Sequence, residues 1–189
     1  TVSDSSGSVV DQDGFTPEKL AELMEVKNHL YGRVSDYAKR VKAEFYPDQR
    51  PWHVPMDVAL PCATQNELNE EDARVLVANC VQCVAEVANM PSTLQAIEVF
   101  EENRVPYAPG KASNAGGVAT SGLEMSQNAM RLVWDSREVE DRLHGIMRSI
   151  HQTCVDHGKR PDDSISYVDG ANVAGFVRVA DAMLAQGIV

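Results

Sequence analysis

Gly110-Lys111-Ala112-Ser113-Asn114-Ala115-Gly116-Gly117-Val118-Ala119-Thr120-Ser121-Gly122-Leu123-Glu124-Met125-Ser126-Gln127-Asn128 reads as a small-residue loop running into a helix. Glycine and alanine between 110 and 117 let backbone approach a ligand closely or take positive φ. From about Val118 the apolar residues Val118, Leu123, Met125, Ala129, Leu132 and Val133 predict a helix with one buried side. Its first turn would offer unpaired N–H groups and a partial positive charge, suited to a carboxylate or phosphate, with the Ser121 hydroxyl nearby. A tight turn packed only for structure fits the same composition.

Upstream, Met56–Leu60, Val81–Val87 and Val105–Ala108 are apolar runs of strand length. Helical stretches separate them: Asn69-Glu70-Glu71-Asp72 opens one that runs to about Asn79, and Ser92 to Asn103 is the next. Strand, helix, strand, helix predicts a parallel sheet with right-handed crossovers. Ligands in such sheets gather beyond the carboxyl ends of the strands. Cys62–Asn66, Asn89 and the 110–117 segment all fall there, so three candidate segments converge on one cleft wall. Gly110-Lys111 is not a P-loop, because Val105 stands five residues earlier and Ala112 follows the lysine.

Four blocks in order carry a resemblance. They are Asp57-Val58-Ala59-Leu60-Pro61-Cys62-Ala63-Thr64-Gln65-Asn66-Glu67-Leu68, Ala88-Asn89-Met90-Pro91-Ser92-Thr93, the 110–128 stretch, and Tyr167-Val168-Asp169-Gly170-Ala171-Asn172-Val173-Ala174-Gly175-Phe176. Together they resemble the C-terminal half of the hexameric glutamate dehydrogenases, most of all the NADP-dependent bacterial type. The resemblance implies an α/β fold: a Rossmann-like, doubly wound, mainly parallel sheet lacking its first βα unit, followed by C-terminal helices. It implies a partial dinucleotide-binding domain over 1–120, and a helical segment over 121–189 that packs back on a substrate domain outside this chain. The implied activity is reversible NAD(P)-dependent oxidative deamination of L-glutamate to 2-oxoglutarate and ammonia, in nitrogen assimilation. Ala63, Thr64, Asn66 and Asn89 would then face the nicotinamide and its ribose. Asn114, Val118 and Ser121 would face the substrate, with Ser121 bonding the side-chain carboxylate and Val118 touching the methylenes. The family's catalytic aspartate and lysines map to no residue here, so no catalytic residue is assigned. The chain alone is expected to be inactive and to bind nucleotide weakly. One departure stands at Val87, where the family has glycine and a β-branched residue resists positive φ.

Thr1–Gly7 reads as the end of a strand and a turn. An acid at this place in a dinucleotide fold accepts a ribose hydroxyl, which marks Asp4; a plain turn residue is the alternative. A carboxylate here favours NAD, whereas the resemblance points to NADP with Ser3 and Ser5 as phosphate contacts. Thr16-Pro17-Glu18 starts a helix to about Leu30, with Leu20, Leu23, Met24 and Leu30 on one side. Arg33–Val41 is a second, in which Val34 and Tyr37 pack. Gly7–Phe15 and Tyr46–Pro55 read as connections.

Arg137–His157 carries the stripe Val139, Leu143, Ile146, Met147, Ile150 and Cys154. His144, His151 and His157 are not spaced to stack as metal ligands. Val173–Gln186 is the last helix, with Phe176, Val177, Ala180, Met183 and Leu184 expected inside. Cys80-Val81-Gln82-Cys83 has redox or half-zinc spacing, but buried reduced thiols fit the four cysteines better, as in the cytoplasm.

The 189 residues are 43% hydrophobic and 24% charged, with net charge −11. That acidity argues against nucleic-acid or anionic-membrane partners, and no apolar run reaches membrane-spanning length. Thr1 in place of Met, with no charged-then-apolar leader, reads as a piece of a longer protein without a secretory signal; the resemblance implies a homo-oligomer, a hexamer in the family. Two other readings are a leucine, valine or phenylalanine dehydrogenase, and a non-catalytic module on the same fold.

Overall fold

A hairpin opens the chain. In the computed structural model, which describes residues 1–187, β1 (Val2–Asp4) and β2 (Gly7–Val10) pair antiparallel through a turn at Ser5-Ser6. Gly7–Val10 is therefore a buried strand and not the start of a connection. Gly7 stands at φ +138, and a Cβ there would lie 2.2 Å from the Tyr46 carbonyl oxygen. The glycine lets β3 (Glu44–Pro47) close against β2 as the third antiparallel strand. Thr16 caps α1 (Pro17–Met24), its Oγ1 accepting from the Lys19 N–H. The helix continues as one π-turn, Glu25–His29, and α2 (Val34–Val41) follows. Val9, Val26, Val34, Tyr37 and Ala38 form the core, with Leu23 packed against it. Leu20, Met24 and Leu30 are exposed. Val26, in the widened turn, takes the inner place expected of them.

These elements make one compact unit, Thr1–Pro55; Met56–Val189 is the second, described to residue 187. The final two residues of the 121–189 segment lie outside the described residues. In the second unit β4 (Val58–Ala59), β5 (Cys83–Ala85) and β6 (Tyr107–Ala108) form a parallel sheet in that order. α3 (Glu70–Ala78) and α4 (Leu94–Glu102) connect them. The helix start expected at Asn69 is present, as a capping box: Asn69 Oδ1 accepts from the Asp72 N–H, and Asp72 accepts from the Asn69 N–H. Thr93 caps α4. Ala59, Leu68, Ala73, Leu76, Val84, Ala96, Val99 and Phe100 form the buried interior. The strands are shorter than their apolar runs because the flanks bond irregularly. The Val87 and Ala88 N–H groups both reach the Pro61 carbonyl, and those of Gln82 and Cys83 share that of Asp57.

The stretch from Gly110 is helical, not a loop: α5 (Gly110–Ser113) bends at Asn114 into α6 (Ala115–Met130). Small residues permit a loop, but alanine and serine carry a helix equally well once Pro109 has turned the chain. In α7 (Ser136–Gly158) the predicted stripe is half-buried, and of its residues only Cys154 is buried. α8 (Tyr167–Gln186) begins six residues before the expected start, capped by Ser166. The two helices meet at glycines: a Cβ on Gly170 would lie 2.0 Å from the Cys154 carbonyl oxygen, and one on Gly158 2.2 Å from that of Ser166. Arg160 binds both Glu101 and Asp169, pinning the intervening loop to α4.

The expected inner faces of α6 and α8 are not covered. Val118 is 74% exposed, Val133 93%, Phe176 72% and Leu184 82%. Met125, Leu132 and Met183 are exposed as well, while Leu123, Val177 and Ala180 are half-buried. A helical period identifies an apolar face but does not say what covers it. All four cysteines are free; Cys62 and Cys80 are exposed rather than buried.

Candidate functional site

The carboxyl ends of β4, β5 and β6 lie side by side, and the segments leaving them are stitched together. The Asn66 N–H bonds the Met90 carbonyl at 3.1 Å and the Leu68 N–H that of Pro91 at 3.0 Å. Asn66 and Met90 both take left-handed backbone, at φ 55 and 56. Val87 is absent from the positive-φ positions and donates to Pro61, so its branched side chain brings no strain. Ala63, Thr64 and Asn66 are exposed on the first segment, where the Ala63 N–H donates to Glu67 Oε1 at 2.9 Å. The Cys62 thiol beside them, although exposed, is pushed up by partial desolvation from its neighbours and by the Glu67 carboxylate.

Asn89 and Asn114 meet directly. Asn114 Nδ2 donates to Asn89 Oδ1 at 2.8 Å and to the Ala88 carbonyl at 3.2 Å. The residue read for the cofactor and the residue read for the substrate thus form one amide pair. Asn114 is also the N-cap of α6. Val118 and Ser121 follow at i+4 and i+7, which places all three on one helix face. Both side chains are exposed.

Beneath the pair lies a residue the sequence reading did not single out. Glu86 is 3% exposed. Its Oε2 accepts from the Gly110 N–H at 2.6 Å and its Oε1 from the Ser92 N–H at 3.1 Å. The signal was present in the sequence: a glutamate inside the apolar run Val81–Val87 has to be paired if that run is buried. Burial pushes the adjacent Tyr107 phenol up, and the Glu86 carboxylate pushes it further. Lys111, set aside above as a P-loop lysine, donates to Asn172 Oδ1 at 2.6 Å, tying α5 to α8.

In the first unit Asp4 ends β1 as expected, but its oxygens are engaged from within the unit. Oδ1 accepts from the Ser6 N–H and hydroxyl at 2.9 and 2.7 Å; Oδ2 accepts from Lys27 Nζ at 2.7 Å and the Val34 N–H at 3.0 Å. Burial alone would raise this carboxyl; the bonds from Lys27, Ser6 and Val34 outweigh it and hold it well below the usual carboxylate range. Ser5 Oγ accepts from Arg33 Nη1 at 2.7 Å, and Ser3 is exposed two residues before it. The sequence reading missed Lys27 and Arg33, because they lie 23 and 28 residues from their partners. Among the described residues, no three His, Cys, Asp or Glu side chains converge to hold a metal.

The sequence profile described as Glutamate/Leucine/Phenylalanine/Valine dehydrogenase matches residues 1–187. The chain belongs to this family. It is 60% identical over 189 residues to the NADP-specific glutamate dehydrogenase of Salmonella typhimurium and 59% identical to that of Escherichia coli. Each alignment covers all of this chain, which spans 42% of the length of these relatives. Among solved structures, Plasmodium falciparum glutamate dehydrogenase 2 superposes with a TM-score of 0.92 at 45% identity, over 97% of this chain and 41% of that one. The α/β, Rossmann-like architecture with C-terminal helices is that of glutamate dehydrogenases.

Proposed function

We propose that this chain is the C-terminal part of an NADP-dependent glutamate dehydrogenase, which converts L-glutamate reversibly to 2-oxoglutarate and ammonia. The observation that carries the reading is the alignment of Asn114, Val118 and Ser121 along one face of α6, with Asn89 bonded to Asn114 at its head. The face offers an amide, then an apolar surface, then a hydroxyl. That order suits a substrate with a polar α-carbon end, a methylene chain and a distal carboxylate. Ser121 donates to the distal carboxylate, and Val118 lies along the methylenes. Ala63, Thr64, Asn66 and Asn89 serve the nicotinamide ribose end of the cofactor. When bound, the oxidised nicotinamide supplies the acceptor for the hydride leaving the α-carbon.

Ser3 and Ser5, with the Arg33 guanidinium on the Ser5 hydroxyl, form a donor set that fits a ribose 2′-phosphate. Lys27 compensates the Asp4 charge that would otherwise repel it. Residues 1–120 act as the partial dinucleotide-binding domain. The apolar faces of α6 and α8 support a role for 121–189 in returning to a substrate domain, in a cytoplasmic homohexamer.

The test is nicotinamide oxidation by the full-length enzyme with 2-oxoglutarate and ammonium, run separately with NADPH and NADH. A hydrogen bond to a charged group contributes about 1.5–3 kcal/mol. Ser121→Ala should therefore lower kcat/KM for 2-oxoglutarate about 10- to 150-fold. Wild-type turnover that Ser121→Ala leaves intact would remove Ser121 from the pocket, and no wild-type turnover would reduce the reading to a shared fold.

A further inference from the structure

Among the described residues, Glu86 is the only buried residue of the Asp, Glu, Lys and Arg types. A lone carboxylate in an apolar interior is costly unless its oxygens are fully bonded. Both are bonded here, to the backbones of two different segments. Oε1 takes the Ser92 N–H, closing the loop that carries Asn89. Oε2 takes the Gly110 N–H, the first of α5, four residues before Asn114. The backbone of Glu86 adds two further links: its N–H donates to the Ala108 carbonyl, and its own carbonyl accepts from Ser113 Oγ. Gly110 is shaped for this arrangement, because a Cβ there would stand 2.9 Å from the Ala88 carbonyl and 3.2 Å from Glu86 Oε2.

We propose that Glu86 is a positioning residue for the reaction, its buried carboxylate fixing the two segments whose side chains form the Asn89–Asn114 amide pair. This rests on the glutamate dehydrogenase reading of that site. Glu86 touches neither substrate nor cofactor; it acts through the spacing of Asn89 and Asn114. A carboxylate suits the task because it offers two acceptors and no donor, matching two convergent N–H groups. The isosteric amide does not, since one N–H would face an NH2 group. The mismatch would push one segment away while leaving Val118 and Ser121, further along α6, in place.

The experiment is steady-state kinetics of Glu86→Gln in the full-length enzyme, with amide hydrogen exchange on the same samples. Misplacing reacting groups by about 1 Å costs on the order of 100-fold in rate. The expected result is kcat lowered about 10- to 100-fold with KM for 2-oxoglutarate within about threefold, and faster exchange at Gly110 and Ser92. If Glu86→Gln does not fold, Ser113→Ala carries the test. It loosens the same frame without burying a mismatched group, and should lower kcat about 3- to 10-fold at unchanged KM. A folded Glu86→Gln enzyme with kcat within twofold of wild type overturns the proposal. So does a Ser113→Ala enzyme that raises KM with kcat unchanged. Absence of turnover in the wild type overturns the functional reading itself, and this proposal with it.

Discussion

Gly170→Ala should separate α7 from α8. The added Cβ would sit 2.0 Å from the Cys154 carbonyl oxygen, 2.8 Å from its carbonyl carbon and 3.0 Å from its Cα. All three are backbone atoms within α7, so no rotamer change relieves the clash. Ordinary contact begins near 3.4 Å, so the helices must part by about 1.4 Å at this point. A gap of even 0.5–1 Å forfeits a quarter to a half of a van der Waals well. Overpacking of this kind costs about 1–3 kcal/mol, and the rigid obstacle places this case at about 3. Alanine returns about 1 kcal/mol of helix propensity, leaving a net loss of about 2 kcal/mol. For a chain of this length that lowers Tm by about 4–8 °C. Gly175, on the same helix, is the control: an added Cβ there meets nothing within 4 Å. Gly175→Ala should stabilise by about 0.5–1 kcal/mol. Urea and thermal unfolding of the two variants beside wild type give the answer. If Gly170→Ala melts within 1 °C of wild type, or if both variants shift in the same direction, the inferred closeness of the crossing is wrong.

Two further outcomes concern the first unit. Arg33→Ala should raise KM for NADPH about 10- to 150-fold in the full-length enzyme, the worth of a charge-assisted hydrogen bond, with KM for NADH within about threefold; an equal effect on both cofactors would remove Arg33 from phosphate recognition. Asp4 has its folded-state pKa depressed, so its stabilising contribution is full above the unfolded value of 3.8 and is lost as pH falls through the folded value. The urea midpoints of wild type and Asp4→Asn should accordingly differ by a constant amount from pH 6 to 8, with the gap beginning to shrink near pH 4 and still present at pH 3, because the folded carboxyl protonates only well below 3.8; a gap already closed at pH 4 would mean the carboxylate does not hold the turn.

The parallel sheet was legible because its strands lie in apolar runs of strand length, with the helix start at Asn69 marking the first helix between them. The candidate site followed from that order, since strand ends face one edge. What stayed hidden depends on distance along the chain. Glu86 and Gly110 are 24 residues apart, Asp4 and Val34 30 apart, and no local pattern announces either bond. Gly7–Val10 was taken for a connection because a glycine and a serine open it; the close approach of Tyr46 makes that glycine part of a strand. The inner faces assigned to α6 and α8 failed for a different reason. Periodicity ranks the faces of a helix by apolarity, and among the described residues nothing covers the most apolar ones.

The polarity of the site is set by a backbone atom. The Ala88 carbonyl can only accept, so the Asn114 atom 3.2 Å away is its nitrogen. That nitrogen spends its second proton on Asn89, 2.8 Å away, so the Asn89 atom there is the oxygen. Both amides are thereby oriented: Asn114 is left with a carbonyl to accept, and Asn89 with an NH2 group to donate. An acceptor beside a donor matches a ligand region that carries an amine next to a carbonyl or carboxylate, and disfavours one that carries two anions. Neither asparagine fixes this alone. The orientation survives only while Ala88 and Asn114 keep their spacing, and that spacing is held by the Glu86 carboxylate between their two segments. The buried charge and the amide pair are therefore one device: Glu86 fixes two backbones, one backbone carbonyl orients two side chains, and the side chains form a directional pair at the strand ends.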